Sequence, residues 1–392
     1  MGFVSGAATF RRFWIQGEGV GRDIDDEFLR KLASRGFDAR EATLRSERQM
    51  GWIGPNHIFE TRLEPERVAF GRFALFALRM DTFAAPSAVL RGYQRLEEEA
   101  ALHASGRQFL SRREKTLARE AAGAKLEQEA RDGAWRRLAS WPVMVDLHEQ
   151  IAYLGQLGDR TAGIFCELFQ DTFGAPLEPI DAASYATRAA TETGAQRKLE
   201  SLEPFHFIDP PDDAAALDLS LTFLGREMLS WLWFRTHSEE GMLRLTRGDE
   251  VALMISRSMR MECDFRLTGA DTISTEAPTR LPEARAALGI GKQPVKAGLT
   301  LGGAAGEFSL SLDAGKLHVS SLRLAENDDA QAEKNPLVRM EQRLESIVEA
   351  ATLVDGLFDV FLAMRLSTDW PAEARRMREW AATRKPSLQV AG

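Results

Sequence analysis

Two glycine-rich segments are the first candidates for chemistry, because glycines beside a lysine can cradle a phosphate group. The segment LGIGKQ (288–293) joins Gly291 to Lys292, but Ala286 stands where a Walker A loop has its first glycine, and Gln293 replaces the required Ser or Thr. The segment GEGVG (17–21) lacks the third glycine of a dinucleotide-binding fingerprint. The sequence therefore predicts no nucleotide-binding loop and no cofactor.

The side chains that usually act in hydrolysis or hold metals are scattered. None of the six histidines lies three to five residues from another His or a Cys, as a zinc motif requires. Cys166 and Cys263 cannot form a four-thiolate site, and no serine lies in a G-x-S-x-G elbow. We predict that the chain is not an enzyme and binds no metal. One alternative stays open, a metal-dependent nuclease whose carboxylates converge only in the fold.

A basic segment offers a different chemistry, the binding of phosphate groups. Residues 107–137 hold nine basic and five acidic residues in a chain whose net charge is −8. Phosphate binding needs a positive surface, and a local one is sufficient in an acidic chain. The wider segment 93–137 is rich in Ala, Glu, Arg and Lys, with Leu110 and Leu117 a heptad apart. This thin apolar stripe predicts a polar helical arm that acts either as a binding surface or as a spacer.

The elements around this arm predict an N-terminal α+β unit. A strand-like run over 8–15 is followed by a helix in DDEFLRKLASRG that turns Phe28, Leu29 and Leu32 inward. After an almost continuously apolar run at 67–80, which suits a buried strand, PVMVDLHEQIAYLG (142–155) reads as a hairpin. An amphipathic helix that ends at Gly174 comes next.

The second half of the chain predicts another β-rich unit. Three runs separated by glycine-containing turns, AGLTL, GEFSLSLD and KLHVSSLRL, are typical of an antiparallel meander, and 335–366 has the apolar stripe of a long helix. The region 178–218, with Pro210 and Pro211, reads as a linker. In the aromatic run Trp231–Phe234, Trp231 and Phe234 share a helical face with Leu224 and Met228, which favours a packed joint over a stacking platform. Trp233 does not lie on that face, so we expect it to be the most exposed residue of the run.

The expected fold class is α+β, with antiparallel β-sheet units, packed helices, a projecting helical arm and a long C-terminal helix. The expected domains are 1–92 with 142–200, the arm 93–141, a second β-rich unit 201–330, and a C-terminal helix and tail 331–392. Arg11 and Arg12 interrupt the apolar start of the chain where a secretory signal would have its core, so we expect a cytoplasmic protein.

The order of these segments resembles the RdgC family, a group of recombination-associated bacterial proteins. The resemblance rests on FRRFWI, the GWIGP turn, the charged helical arm, PVMVD with its hairpin, a helix ending in TFGAPLEPI, the GKQPVKAGLTL strand and the long C-terminal helix. It covers nearly the whole chain, although this chain is longer than the compact members. It implies a nucleoid-associated, ring-shaped homodimer that encircles double-stranded DNA without sequence preference and restricts the access of a recombinase.

The resemblance also implies site residues. Lys292 and Lys296 are candidate DNA contacts, while Pro278–Thr279 stands where the family has a Lys-Gln pair, so that Arg280 is the nearest substitute. Trp135 is the candidate contact across the dimer. On the arm, the basic candidates for DNA binding are Arg112, Arg113, Lys115 and Arg119. The alternative function is a protein–protein interaction module without nucleic-acid binding, which would dock a partner through the arm and the C-terminal helix.

Overall fold

The computed structural model describes residues 2–38, 48–83, 85–210, 220–238, 241–246, 248–263, 265, 268–303, 306–324 and 334–382. The chain divides into two compact units. The first comprises Met1–Asp25, Ala69–Leu75 and Pro142–Gly392, and the second comprises Asp26–Val68 and Phe76–Trp141. The α+β fold class is confirmed, whereas the division differs from the expected four segments: the regions 201–330 and 331–392 belong to the same unit as 142–200.

The strands, in chain order, are β1 (Ala8–Ile15), β2 (Arg48–Ile53), β3 (Ala69–Phe70), β4 (Phe73–Phe83), β5 (Arg136–Asp146), β6 (Ile151–Leu154), β7 (Leu177–Pro179), β8 (Met242–Arg244), β9 (Glu250–Cys263), β10 (Asp271–Ser274), β11 (Lys292–Gly303), β12 (Gly306–Asp313) and β13 (His318–Arg323). The helices are α1 (Asp26–Ser34), α2 (Pro65–Val68), α3 (Ser87–Ser105), α4 (Arg112–Arg131), α5 (Asp159–Phe173), α6 (Ala182–Thr193), α7 (Gln196–Glu200), α8 (Phe223–Ser238), α9 (Pro282–Leu288), α10 (Pro336–Arg365) and α11 (Trp370–Ala382). A 3₁₀ turn covers Pro278–Arg280.

An antiparallel sheet forms the first unit, with the strand order β10-β9-β11-β12-β13-β1-β6. The predicted meander is confirmed as β11, β12 and β13, and the register of its first pair runs from Lys296 opposite Asp313 to Gly303 opposite Gly306. Alternate residues of these strands are buried, such as Leu299, Leu301 and Leu310. This period-two pattern is expected for a sheet with one face against a core.

The aromatic run lies in α8 and belongs to the core of the first unit. Trp231, Trp233 and Phe234 are 1%, 2% and 8% exposed. The indole N–H of Trp231 donates to Oε1 of Glu373 in α11 over 2.9 Å, and Trp233 meets the ring of Trp380 edge-on at 5.3 Å. The prediction that this run packs rather than binds is confirmed, and it holds for Trp233 as well, because α8 is surrounded by the sheet, α10 and α11.

Gly225 permits the close approach of α8 to the turn after β12. A Cβ atom at this position would lie 2.2 Å from the carbonyl oxygen of Ala314, which is a backbone atom that cannot move alone. A side chain of any size is therefore excluded here by packing.

The prediction of a linker over 178–218 is wrong for the described part of that region, which forms α6 and α7. Asp181 caps α6 by accepting the N–H groups of Ala183 and Ser184, and alanines four residues apart, such as Ala186 and Ala190, are buried. Small buried residues allow a helix to pack closely, so the alanine-rich composition reflects packing rather than a flexible connection. Pro211 lies outside the described residues, and the predicted tail contains the helix α11.

The second unit contains α1, β2, most of β4 and a pair of long helices. As predicted, Phe28 and Leu32 of α1 are buried. Asp81 of β4 is fully buried, and it accepts a bidentate pair of hydrogen bonds from Arg79 and an ion pair from Arg136. The predicted helical arm is confirmed as two helices, α3 and α4, which are joined through Gly106 in a left-handed conformation.

Candidate nucleic-acid interface

The helical hairpin formed by α3 and α4 contains few buried residues. None of the described residues of α3 is buried, and Ala118 and Ala122 are the buried residues among those described in α4. Ser111 caps α4 through a capping box, in which its Oγ accepts the N–H of Glu114 and the Glu114 carboxylate accepts the N–H of Ser111. The cap fixes where the helix begins and therefore which residues occupy its first turn.

Four predicted DNA-binding residues follow this cap, and we call them the α4 basic patch: Arg112, Arg113, Lys115 and Arg119. All four are exposed, and none has a carboxylate within ion-pair distance among the residues that the structure describes. Arg112, Lys115 and Arg119 are spaced i, i+3, i+7, so these three project from one side of the helix.

The position of Arg112 and Arg113, in the first turn of α4, is electrostatically unfavourable for the isolated helix. The N-terminus of a helix carries about half a positive charge, so cations in the first turn cost roughly 0.3–1 kcal/mol each at low salt. Glu114 offsets part of this charge, and hydrogen bonds from Ser111 and Arg107 lower the pKa of its carboxyl group. The helix end together with the patch makes a concentrated positive site for an anion.

Trp135, the predicted dimer contact, lies half-buried where the chain leaves α4 and enters β5. Its indole N–H donates to Oε2 of Glu129 over 3.2 Å, and its backbone has a φ of 62°, which is rare for a side chain of this size. The other carboxylate oxygen of Glu129 accepts the hydroxyl of Tyr93, and the ammonium of Lys125 stands 4.4 Å from the Tyr93 ring centroid. These contacts place Trp135 over the base of the hairpin, and its role in a dimer stays a prediction.

The other three predicted DNA contacts lie in the first unit and differ in accessibility. Arg280 is exposed at the end of the 3₁₀ turn, and Lys296 is half-buried on β11. Lys292 is 4% exposed, and its ammonium forms an ion pair with Asp271 at 2.5 Å. The ammonium of Lys292 is therefore buried and already paired with Asp271. Arg280 and Lys296 are the two accessible cations of this group.

Lys296 belongs to a polar sheet face, where it stands opposite Arg260 of β9 and Asp313 of β12. We define this face by its partly or fully exposed residues: Arg260, Lys296, Thr300, Ser311 and Asp313. The hydroxyls of Ser256 and Thr300 are 2.9 Å apart, and Arg260 is exposed beside Glu262. Ser256 and Ser309 are 4% and 8% exposed, so their hydroxyls are not open to a ligand, and Asp313 opposite Lys296 offsets part of the positive charge of this face. The residues of this face come from three strands, so the spacing of basic residues along the sequence does not predict it.

His318 lies at the end of this sheet and was not predicted as a functional residue. It is 5% exposed, and burial together with the charges of Arg11, Lys316 and Lys296 lowers the pKa of its imidazole to about 3, against the opposing effect of Asp159. The imidazole is therefore neutral in the folded protein over the physiological range. The signal in the sequence is weak, because these groups come from positions far apart.

Acidification is expected to destabilise the protein through His318. The unfolded chain binds a proton near pH 6.5 while the folded chain does so only near pH 3, so stability falls as the pH drops from 6.5 towards 3. Between pH 7.5 and pH 5 the loss is about 2 kcal/mol. Urea denaturation of the wild type and of His318→Gln at pH 7.5 and pH 5 measures this loss of unfolding free energy. The loss should be smaller in the variant. A variant as sensitive to acid as the wild type would contradict the assignment, and the exposed His103→Gln serves as the control.

A cavity of about 510 Å³ also opens in the first unit, lined by Trp231, Arg235, Arg244, Glu250, Met364 and Asp369 among others. Two arginines and two carboxylates stand around apolar walls, so its lining favours neither an anionic nor a cationic ligand. Within the described ranges, no group of three or more His, Cys, Asp or Glu residues is arranged to hold a metal ion. No described helix combines the length and the apolar character that crossing a membrane requires.

The fold and the candidate sites define an α+β protein with a capped basic hairpin in one unit and a polar sheet face in the other. No protein-family model matches the chain, and no curated protein is significantly similar to it.

Proposed function

We propose that this protein binds double-stranded DNA through its backbone phosphates, without sequence preference and without catalysis. The observation that carries the proposal is the α4 basic patch: four exposed cations without a described carboxylate partner, of which Arg112 and Arg113 stand in the first turn, where they cost the helix stability. Cations in such a place are stabilised when an anion is bound, because the anion interacts favourably with both the side chains and the helix end.

The geometry of the patch suits a nucleic-acid backbone. From Arg112 to Arg119 the helix rises about 10 Å, which is close to the axial length of three phosphates along one strand of a duplex. Contacts to phosphates alone fix a protein on a duplex and carry no sequence information. The net charge of −8 confines the attraction to local positive surfaces.

We further propose that the protein acts as RdgC-like proteins do, as a homodimer that encircles the duplex and limits the access of a recombinase. The support for this step is the order of segments across nearly the whole chain, together with Arg280 and Lys296 as accessible cations of the first unit. In this proposal the protein is cytoplasmic and associated with the nucleoid, and Trp135 contributes to the dimer.

A gel-shift assay with random-sequence duplex at two salt concentrations tests the proposal. Binding should occur at micromolar protein in 50 mM salt and should weaken by more than about tenfold in 200 mM salt, because bound counterions are released on association. An unrelated duplex of the same length should bind equally well. The absence of any shift at low salt, or a shift that is insensitive to salt, would overturn the proposal.

A second candidate function, protein–protein interaction through the hairpin, is favoured by one observation. Leu96 of α3, Phe109 of the connection between the helices and Leu117 of α4 are 57%, 82% and 55% exposed. Exposed apolar side chains on a polar hairpin are typical of a docking surface for another protein. Under this function, replacing Phe109 and Leu117 by serine abolishes binding of the protein partner. Neutralising the α4 basic patch leaves that binding intact.

A further inference from the structure

The short strand β8 forms an open edge of the sheet in the first unit. Its residues Met242–Arg244 pair with β9, and no strand among the described residues pairs with β8 on its other side. Directly beside this pairing, the N–H of Leu253 donates to the carbonyl of Gly241, and the N–H of Leu245 donates to the carbonyl of Asp249, each over 2.7 Å. In an antiparallel ladder, such hydrogen-bonded pairs alternate with pairs whose N–H and C=O groups point outwards.

This alternation directs the backbone groups of Met242 and Arg244 away from β9 and towards the open edge. Leu243 lies between them and stands opposite Val251, in the register of the hydrogen-bonded pairs. Among the residues that the structure describes, none provides a hydrogen-bond partner for the outward groups of Met242 and Arg244. Two N–H and two C=O groups are thus presented at the spacing with which a further strand pairs.

The cavity of about 510 Å³ lies beside this edge. All three residues of β8 line it, together with Trp231 of α8 and with Ala363 and Met364 of α10. Leu243 is 4% exposed, so its side chain lies on the side of the sheet that packs against the helices. Side chains of neighbouring strands that stand opposite each other point to the same face. In a strand added to β8, the residue opposite Leu243 would therefore point into the cavity.

The walls and the rim of the cavity define the peptide sequence that fits. Apolar side chains of α8 and α10 form the wall behind the edge, and the volume exceeds that of any one side chain, so a large aliphatic or aromatic residue is accommodated. Arg244 is exposed opposite Glu250 of β9, and no carboxylate lies within ion-pair distance of its guanidinium among the described residues. A carboxylate opposite Arg244 in the added strand is favourable, whereas a second cation there is unfavourable.

We propose that this edge binds an extended peptide segment of a partner protein, which adds a strand to the sheet and places one large apolar side chain in the cavity. We call the surface the β8 edge site: the outward backbone of Met242–Arg244 and the cavity beside it. In antiparallel pairing, an acidic residue opposite Arg244 directly precedes the apolar residue opposite Leu243. A peptide backbone both donates and accepts hydrogen bonds, whereas phosphates only accept them, so the β8 edge site does not rest on the proposed DNA binding.

A labelled hexapeptide of threonine, glutamate, phenylalanine, leucine, threonine and glycine, in that order, tests the β8 edge site. Fluorescence anisotropy with the full-length chain should give a Kd of about 10–100 µM, as for a short strand with a single anchor. With lysine in place of glutamate, binding should be about fivefold weaker, because the lysine stands opposite Arg244. With serine in place of phenylalanine it should be weaker by more than about tenfold. No binding of the first peptide at millimolar concentration overturns the proposal.

Arg244→Pro tests the hydrogen bonds of the edge. Proline lacks the N–H that points to the open side, and a proline with this orientation is tolerated in an edge strand, so β8 should stay paired with β9. Arg244→Gln is the matched control, because it removes the same charge and keeps the N–H. We expect Arg244→Pro to bind the glutamate peptide about tenfold more weakly than Arg244→Gln does. Equal affinity of these two variants contradicts strand addition.

Ala363→Phe tests the cavity. Ala363 is exposed on α10 and lines the cavity, so a phenylalanine there occupies the space of the peptide side chain without entering the core. Peptide binding should weaken about tenfold. Ala286→Phe is the control, since Ala286 is exposed on α9 and does not line the cavity. Equal melting temperatures of both variants and the wild type show that the fold is kept, and unchanged binding to Ala363→Phe contradicts the proposal.

Amide hydrogen exchange distinguishes strand addition from binding in the cavity alone. The amides of Met242 and Arg244 point to the open edge, so they should exchange quickly in the free protein and at least about tenfold more slowly when the peptide is bound. Exchange that is equally fast in both states overturns the proposal, even where the peptide binds.

A second copy of this chain is the alternative occupant, through the pairing of two β8 edges. Sedimentation velocity of the wild type and of Arg244→Pro at micromolar concentration decides between the two. Equal oligomeric states leave the edge open for a partner peptide, as proposed. A wild-type oligomer that Arg244→Pro dissociates assigns the edge to self-association instead, and the proposal of a partner peptide then fails.

Discussion

Replacement of all four residues of the α4 basic patch by glutamine should weaken binding to random-sequence duplex by about 100- to 1,000-fold at 0.1 M salt. Each phosphate contact contributes about 0.9 to the slope of log K against log salt, so the loss of four contacts lowers that slope by about 3.6. Binding that remains should therefore depend much less on salt. A fluorescence-anisotropy titration at five salt concentrations measures both quantities.

The variant should fold at least as well as the wild type. Removing cations from the first turn of α4 relieves their repulsion with the helix end, and the capping box of Ser111 and Glu114 is untouched. Unchanged circular dichroism and an equal or slightly higher melting temperature would confirm that a loss of binding is not a loss of structure.

A matched control separates a local contact from a general effect of charge. Arg30, Arg62, Arg197 and Arg339 are exposed arginines outside α4, and their combined replacement by glutamine changes the net charge by the same amount. If this control loses as much affinity as the α4 variant, the patch is not the binding surface. If the α4 variant binds as tightly as the wild type, the central observation behind the proposed function is lost.

The second large effect is expected at the buried ion pair between Glu227 of α8 and Arg365 of α10. These residues are 1% and 6% exposed, and Nε of Arg365 donates to Oε2 of Glu227 over 2.7 Å. Glu227 also accepts the N–H of Phe205, while Arg365 donates to the carbonyl oxygen of Glu203. One charged pair therefore ties α8, α10 and the segment before α8 together.

Glu227→Gln should lower the free energy of unfolding by about 3–5 kcal/mol, because it leaves the guanidinium of Arg365 buried without its counter-charge. The double variant Glu227→Met, Arg365→Met should lose much less than the sum of the single changes, since no buried charge remains. Urea denaturation at pH 7.5 measures all of them. A loss below about 1 kcal/mol in Glu227→Gln would show that water or other groups replace the carboxylate.

The pKa of Glu227 bears on this experiment. Burial raises it, while Arg365 and the N–H of Phe205 act in the opposite direction. Without Arg365 the carboxyl group should take up a proton more readily, so Arg365→Met should be less destabilising at pH 5 than at pH 8. The same comparison for Glu227→Gln should show no such relief.

Much of the fold follows from local sequence patterns. The alternation of apolar and small polar residues in β11, β12 and β13 predicts strands with one buried face, and the glycine-containing turns predict their antiparallel order. The spacing of Leu224, Met228 and Trp231 predicts the buried face of α8. These features are determined by neighbours along the chain, which is why composition and period are sufficient to find them.

The α4 basic patch is also determined locally. Its cations lie on one helix whose large apolar residues are Leu117 and Leu126, so the polar composition of the helix itself keeps them at the surface. Ser111 and Glu114, three residues apart, mark the start of the helix in the sequence as well as in the structure.

Only the tertiary structure decides the state of groups whose partners are far away in the chain. Lys292 looks like an exposed lysine at the entrance of a strand, yet the chain brings Asp271 to it and buries both methylene stem and ammonium. Asp159 pairs with Arg11 and with Lys316, which lie far from it and from each other in the sequence. Charge interactions act through space and depend on burial, so no local pattern could have revealed these ion pairs or the neutral imidazole of the buried His318.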